Sequence, residues 1–407
     1  MRILFVHQNF PGQFKHLAPA MGQQGHEVVA LGINAAPPLP DVKHIRYTPQ
    51  RGSGKDTHPW VRDIETKVIR GEAAFHAAQQ LKTQGFTPDV IVAHPGWGES
   101  LFMKDVWPQA RLGLYAEFFY KEQGADVGFD TEFTPLQNTE ACRIHTKNIN
   151  NLMHFDLADA ALSPTHWQAS TYPAPFRCKI TVAHDGIDTQ VLKPESKAFV
   201  TLNKSLRIEA GDELITFVNR NLEPYRGFHI FMRALPRLLR ERPQARVVIV
   251  GDNGVSYGSA PASGKTWKET LLAEVGDQID LQRVHFVGKV AYPDFIRLLQ
   301  VSMVHVYLTY PFVLSWSLLE AMSVGCAIVA SDTAPLREAI EHDVTGRLVP
   351  FFESDTLAAE VARLCSAPEE RQRLGAAARA FAVRSYDLHT VCLPQQIRWV
   401  ESLYSSV

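Results

Sequence analysis

The chain has 407 residues, which at about 100–200 residues per domain is too long for one ordinary core and points to two large domains. Hydrophobic residues make up 45% and charged residues 21%, enough apolar material for packed cores, which excludes wholesale disorder. Lys and Arg number 41 against 43 Asp and Glu, a formal charge of -2, so no global field draws the chain to nucleic acid or to an anionic membrane; an anionic ligand must be held by local charge.

The first apolar run, Ile3 to Val6, is far shorter than a signal-peptide core or the roughly 20 residues of a membrane helix, and no later run reaches that length. The cysteines (Cys142, Cys178, Cys326, Cys365 and Cys392) are odd in number and widely spaced, with no C-x-x-C pair. They read as small core residues in a soluble, reducing, cytoplasmic setting. Peripheral contact with the inner face of a membrane through a small surface patch stays open.

Ile3 to Val6, Val28 to Leu31, Val90 to Ala93 and Leu112 to Tyr115 are apolar runs that predict buried strands. Between the first two lies the loop His7 to Gln13, then a predicted helix from Phe14 to Gln24 stopped by Gly25, a βαβ opening. The stretches Lys55 to His58 and Tyr120 to Asn138 lack periodicity and read as long loops over the ligand edge of the amino-terminal domain.

After the polar stretch Lys193 to Gly211 a second series begins, with a strand at Leu214 to Val218 and a helix at Phe228 to Leu239. Further strands are predicted at Arg246 to Val250, His285 to Val287, Met303 to Leu308 and Ala327 to Ala330, each ending in a turn on what should be one edge of a parallel sheet. Open α/β sheets bind ligands along that edge. The segment Leu388 to Tyr404 predicts an amphipathic helix beyond the completed second series.

Three stretches at these edges could carry chemistry. Asn219 to Gly227 places Arg220 and Arg226 six apart around a turn; the arginine fork suits phosphate oxygens, and the helix that follows adds its positive end. The alternative is two solvated arginines on a surface turn. In Tyr310 to Met322, Ser317 and Glu320 fit a capping box for a helix running to Val324. Glu320 could equally accept hydrogen bonds from a ribose diol while free amides near Ser315 face a phosphate or sugar hydroxyl, and position alone does not separate these roles. In His94 to Glu99, the glycines permit close approach of a substrate and His94 falls at the edge, as a ligand-facing group or as a satisfied turn residue. No H-E-x-x-H occurs and His154 with Asp156 lacks a third ligand, so no metal is assigned; no nucleophile-elbow sequence surrounds Ser163.

Taken in order, these motifs resemble the retaining glycosyltransferases of GT-B architecture, family 4. The run Gly325 to Asp332, then Glu338-Ala339-Ile340, then Val344 to Val349, is similar to that family's donor domain, and Val182 to Asp188 with Lys193-Pro194 resembles its stretch before the interdomain linker. The resemblance implies two doubly wound, Rossmann-like α/β domains facing a cleft: residues 1–200 on the acceptor side, residues 201–387 holding the nucleotide sugar, and residues 388–407 packing back on the first domain. It implies that Arg220 and Arg226 hold the donor diphosphate, that Glu320 binds the ribose, that the backbone at Lys289 and Val290 meets the base, and that Gly12 approaches the donor phosphates.

Two departures from the family pattern stand out. The family pairs two glutamates eight positions apart, and the partner of Glu320 is here Phe312. Where a histidine often faces the reacting sugar, this chain has Glu117, which could bind acceptor or donor hydroxyls. The implied activity is metal-independent transfer of a sugar from a nucleotide-diphosphate sugar, with no further cofactor, to a carbohydrate, lipid-linked or protein acceptor. A GT-B sugar-nucleotide epimerase and a noncatalytic sugar-nucleotide binder are the alternatives. A dehydrogenase is disfavoured because no complete G-x-G-x-x-G follows the first strand.

Overall fold

The computed structural model describes residues 1–133, 138–202 and 206–405. The chain divides into two compact units: Met1–Val127 with Leu136–Gly186 and Leu388–Val407, and Gly128–Pro135 with Ile187–Asp387. The boundary therefore falls at Gly186, earlier than the expected residue 200. A piece of the predicted loop Tyr120 to Asn138 belongs to the second unit, because its Phe129 and Phe133 pack there against Phe351 and Trp267.

In the first unit seven parallel strands form one sheet: β1 (Arg2–Val6), β2 (Glu27–Gly32), β3 (Val42–Arg46), β4 (Val90–Ala93), β5 (Arg111–Tyr115), β6 (Ala160–Ser163) and β7 (Ile180–Val182), in the order β3-β2-β1-β4-β5-β6-β7. Ile3 to Val6 and Val90 to Ala93 are buried at every position, as strands covered on both faces must be. One covering layer is the carboxy-terminal helix Leu393–Ser405, whose Trp399, Val400 and Leu403 join Phe5, Val92 and Tyr115 in one core. The predicted helix Phe14 to Gln24 is shorter, a single 3-10 turn at Gly12–Phe14 followed by a helix at Leu17–Gln23. Pro19 explains the later start: it falls in the first turn, where its missing N–H has no partner to lose.

The second unit holds a parallel sheet of six strands: β10 (Leu214–Asn221), β11 (Arg246–Asp252), β12 (Val284–Gly288), β13 (Val304–Tyr307), β14 (Ile328–Ser331) and β15 (Arg347–Val349), ordered β12-β11-β10-β13-β14-β15. A separate antiparallel pair, β8 (Phe199–Leu202) and β9 (Leu206–Glu209), precedes it in the chain. Helix Phe228–Glu241 lays Phe228, Phe231, Leu235 and Leu238 on the sheet, with Phe231 stacked on Phe217 at 4.5 Å between ring centroids. Each such side chain removed from water contributes about 1.5–3 kcal/mol.

Two local expectations are corrected. The helix at Trp316–Ser323 is capped by Ser315, which is extended and accepts the Ser317 amide, so Ser317 with Glu320 is not the capping box. Cys326, Cys365 and Cys392 are buried, but Cys142 and Cys178 are exposed rather than in a core. Among the described residues no helix is long and apolar enough to cross a membrane.

Candidate functional site

Strand order reverses between β1 and β4 in the first sheet and between β10 and β13 in the second. Such switch points open a crevice at the carboxyl ends of the strands, and the predicted residues gather at both.

In the first unit His7 follows β1 and His94 follows β4, with their rings 5.1 Å apart. The His7 Nδ1 accepts the Asn9 amide at 2.9 Å, which leaves the proton on Nε2 to be donated to Gln13 Oε1 at 2.8 Å. Gln13 in turn donates from Nε2 to Glu117 Oε1 at 3.2 Å. The His94 Nδ1 accepts the Gly96 amide at 3.1 Å, which turns Nε2 toward Glu117 Oε2, 3.5 Å away. The Glu117 backbone is fixed as well, its carbonyl accepting Gln168 Nε2 at 2.8 Å. Burial, reinforced by the neighbouring His94, lowers the His7 pKa to about 3, so the ring stays neutral at physiological pH. Trp97 lies against both imidazoles and Tyr115 stacks on His94.

Gly12 is required by this arrangement. Its φ is +46°, and a Cβ there would lie 2.3 Å from His7 Nε2. The structure thus joins the predicted Gly12, His94 and Glu117 through His7 and Gln13, which sequence reasoning missed. The signal was there in the string His7 to Gln13 directly after the first strand.

In the second unit Arg220 and Arg226, predicted as a pair, differ in burial. Arg220 is exposed at the end of β10. Arg226 is 5% exposed, in the 3-10 turn Pro224–Arg226. Its Nη1 donates to Thr309 Oγ1 at 2.7 Å, to the Val313 carbonyl at 3.1 Å and to Tyr307 Oη at 3.4 Å, and its guanidinium lies 5.0 Å from the centre of the Tyr257 ring. All of these partners are neutral, and among the described residues Arg226 makes no ion pair. The nearby Glu223, wholly buried, instead accepts the amides of Ser256, Tyr257 and Gly258 at 3.0–3.2 Å and so pins the loop after β11. Sequence reasoning missed Glu223, although it stands between the two arginines.

Ser315 caps its helix and donates its amide to Tyr307 Oη at 3.0 Å, tying it to the group that Arg226 holds. Phe312 is 6% exposed and packs between the rings of Tyr225 and Tyr257. One oxygen of Glu320 accepts the Tyr292 hydroxyl at 2.8 Å. Lys289 pairs with Asp252 at 2.8 Å across the ends of β12 and β11, while Val290 packs against the core on one face of the sheet.

Two α/β units, each with its polar cluster at a reversal of strand order, have the GT-B arrangement, the architecture of a large class of glycosyltransferases. Residues 24–192 match the model of the glycosyl transferase family 4 group and residues 200–381 that of glycosyl transferases group 1; the chain belongs to this family of glycosyltransferases. It is 25% identical to D-inositol 3-phosphate glycosyltransferase of Segniliparus rotundus over 341 residues, 78% of this chain and 71% of that protein. It is 23% identical to glycogen synthase of Mycobacterium tuberculosis, covering 96% of this chain and 92% of that one. Among solved structures, sucrose-phosphate synthase from Thermosynechococcus elongatus superposes with a TM-score of 0.76 at 17% identity, and Anabaena HepE in complex with UDP-glucose with 0.64 at 16%, both over the whole of each chain.

Proposed function

We propose that this glycosyltransferase moves a sugar from a nucleoside-diphosphate sugar to an acceptor hydroxyl with retention of anomeric configuration, in glycan or polysaccharide synthesis. The observation that carries the reading is Arg226, a buried guanidinium at the switch-point edge with only neutral partners. A buried positive charge is costly unless a counter-charge arrives, and a diphosphate supplies one. Relatives of this fold solved with UDP and UDP-glucose support that choice of ligand.

In this reading the bond from the anomeric carbon to the diphosphate oxygen breaks while the acceptor oxygen bonds to the same face of that carbon. The acceptor proton passes to the departing phosphate oxygen. Negative charge grows on the diphosphate as the bond lengthens, and Arg226 and the exposed Arg220 stabilise it, without a metal ion; the Ser315 and Ser317 amides, expected to be free, are instead donated to Tyr307 Oη and Ser315 Oγ. Glu320 holds the ribose, the backbone at Lys289 and Val290 meets the base, and Gly12 lets the β1 loop approach the phosphates. Glu117, oriented by Gln13, orders sugar or acceptor hydroxyls, with His94 beside it. The acceptor is a carbohydrate, a lipid-linked sugar or a protein, and the five free thiols fit a reducing, cytoplasmic compartment.

The test is a thermal-unfolding panel of nucleoside diphosphates and their sugars, followed by product analysis with the best donor. Stabilisation by at least one diphosphate and a product whose anomeric proton keeps the donor's configuration is the expected result. Stabilisation by none overturns the reading; binding without any transfer leaves a sugar-nucleotide binder, and isomerised donor without acceptor leaves an epimerase.

A further inference from the structure

On the β1–β2–β3 side of the first unit's carboxyl edge there is a cavity of about 310 Å³. It is bounded by Gln8 and Asn34 from the loops after β1 and β2, by Arg51 after β3, and by Thr66 and Arg70 of the helix Arg62–Thr83. It shares Arg51 with a neighbouring cavity of about 350 Å³, lined by Tyr47. Hollows of this size take a monosaccharide-sized group.

Of the groups around this space the Arg70 guanidinium is unspent, while Gln8 Nε2 and Asn34 Nδ2 donate to Asn9 Oδ1 and Thr66 Oγ1 to the Arg62 carbonyl. Arg70 is half-buried and makes no hydrogen bond or ion pair among the described residues. The Tyr47 hydroxyl, on a side chain only 6% exposed, is held beside the buried Glu99. Arg51 gives Nη1 to Glu65 at 3.2 Å, but Glu65 also accepts from Thr57 and the Gly54 amide, so its charge is shared. No carboxylate lines the first cavity; Glu72 lines the second, together with Arg46 and His76. Nearby Glu99 is wholly buried, and burial pushes its carboxyl pKa up against the pull of the Arg70 charge.

We propose that this cavity binds the anionic group, a phosphate or a carboxylate, of a sugar or polyol acceptor, with Arg70 as its principal contact and Arg51, Gln8, Asn34 and Thr66 around it. The planar guanidinium fork matches either anion. The assignment rests on the first unit being the acceptor half.

The test is calorimetric titration of the full chain at low salt with glucose 6-phosphate, glucuronate and glucose, for wild type, Arg70→Gln and Arg70→Lys, with UDP titrated into every sample. At least one anionic sugar should bind about tenfold or more tightly than glucose, a preference that Arg70→Gln abolishes and Arg70→Lys partly restores. Which of the two anions wins separates phosphate from carboxylate. Equal binding of all three sugars, or an anion preference that survives Arg70→Gln, overturns the proposal. Loss of UDP binding throughout with the anion preference intact would instead sink the donor reading and leave this site standing.

Discussion

At the switch point of the first unit, His7, Gln13 and Glu117 answer one another in a chain of neutral imidazole, amide and carboxylate. At that of the second, a guanidinium is buried against hydroxyls and a carbonyl, and the nearest carboxylate, Glu223, is taken up by three amides. The same topology thus offers two chemistries. A hydrogen-bonded carboxylate at an edge suits sugar hydroxyls, which need directional acceptors and no net charge. An uncompensated cation suits a diphosphate. The fold supplies the crevice, and a few loop residues decide what it holds.

The largest way to break this contrast is Arg226→Met, which keeps the volume and removes the charge. Nucleoside-diphosphate affinity and turnover should each fall by about 10²-fold or more, while the melting temperature holds or rises, since a buried charge replaced by an apolar side chain is often neutral for stability. Unchanged UDP binding by calorimetry would remove the contrast.

Glu117→Gln sharpens it from the other side. Turnover should fall by about 10–10²-fold with UDP affinity unchanged, measured on the same preparation. A parallel loss of UDP binding would place Glu117 in nucleotide binding rather than with the hydroxyls.

A smaller effect is expected from Gly12→Ala, which forces a methyl into the His7 ring and strains a positive φ; about 1–3 kcal/mol of stability should be lost. Urea unfolding measures this, and the double variant His7→Ala/Gly12→Ala should recover part of the steric cost. No recovery would mean that the ring is not what the methyl meets.

The smallest effect is a pH slope. Because the His7 pKa is about 3 in the folded chain against an ordinary 6.5, the unfolded chain takes the proton first. His7 costs no stability above pH 6.5 and destabilises increasingly as pH falls from there toward 3, by at most about 1.4 kcal/mol per pH unit. His154 and His184, lowered to about 4, and His305, to about 3, slope the same way. The His7 share is therefore the difference between wild type and His7→Asn in urea midpoints at pH 7 and pH 5. Identical slopes would show that the ring is not held neutral.

The central strands of both sheets were legible because burial on two faces demands unbroken apolar runs such as Val90 to Ala93. The edge strand β12 was also read, at His285 to Val287, but β3, β6, β7 and β15 were not. β3 (Val-Lys-His-Ile-Arg) is half exposed and β7 and β15 have three residues each, so their hydrophobic pattern does not rise above that of a loop. At the site, spacing and residue type pointed to Arg226 and His94, since a strand end followed by a turn is readable, while Glu117 came only from the family resemblance. The burial of Arg226, the Tyr292 partner of Glu320 and the Gln13 link to Glu117 were invisible, because each depends on contacts across tens of residues. The Ser315 cap was misread by two positions because Ser317 and Glu320 offer the same spacing as a genuine box.

The short stretch Gly128 to Phe133 bears on how this polypeptide can be taken apart. Phe129 lies against Tyr310, Phe351 and Phe352, and Asp130 accepts the Tyr310 hydroxyl at 2.6 Å and stands 3.2 Å from the buried His229. Glu132 meets Arg233 through two bonds at 2.6 and 2.8 Å. A fragment cut at Gly186 would carry the whole six-stranded sheet yet leave these aromatic rings uncovered and His229 without its carboxylate. The second unit is thus a folding unit whose last piece is encoded upstream, and a soluble version of it would need residues 128–133 grafted back.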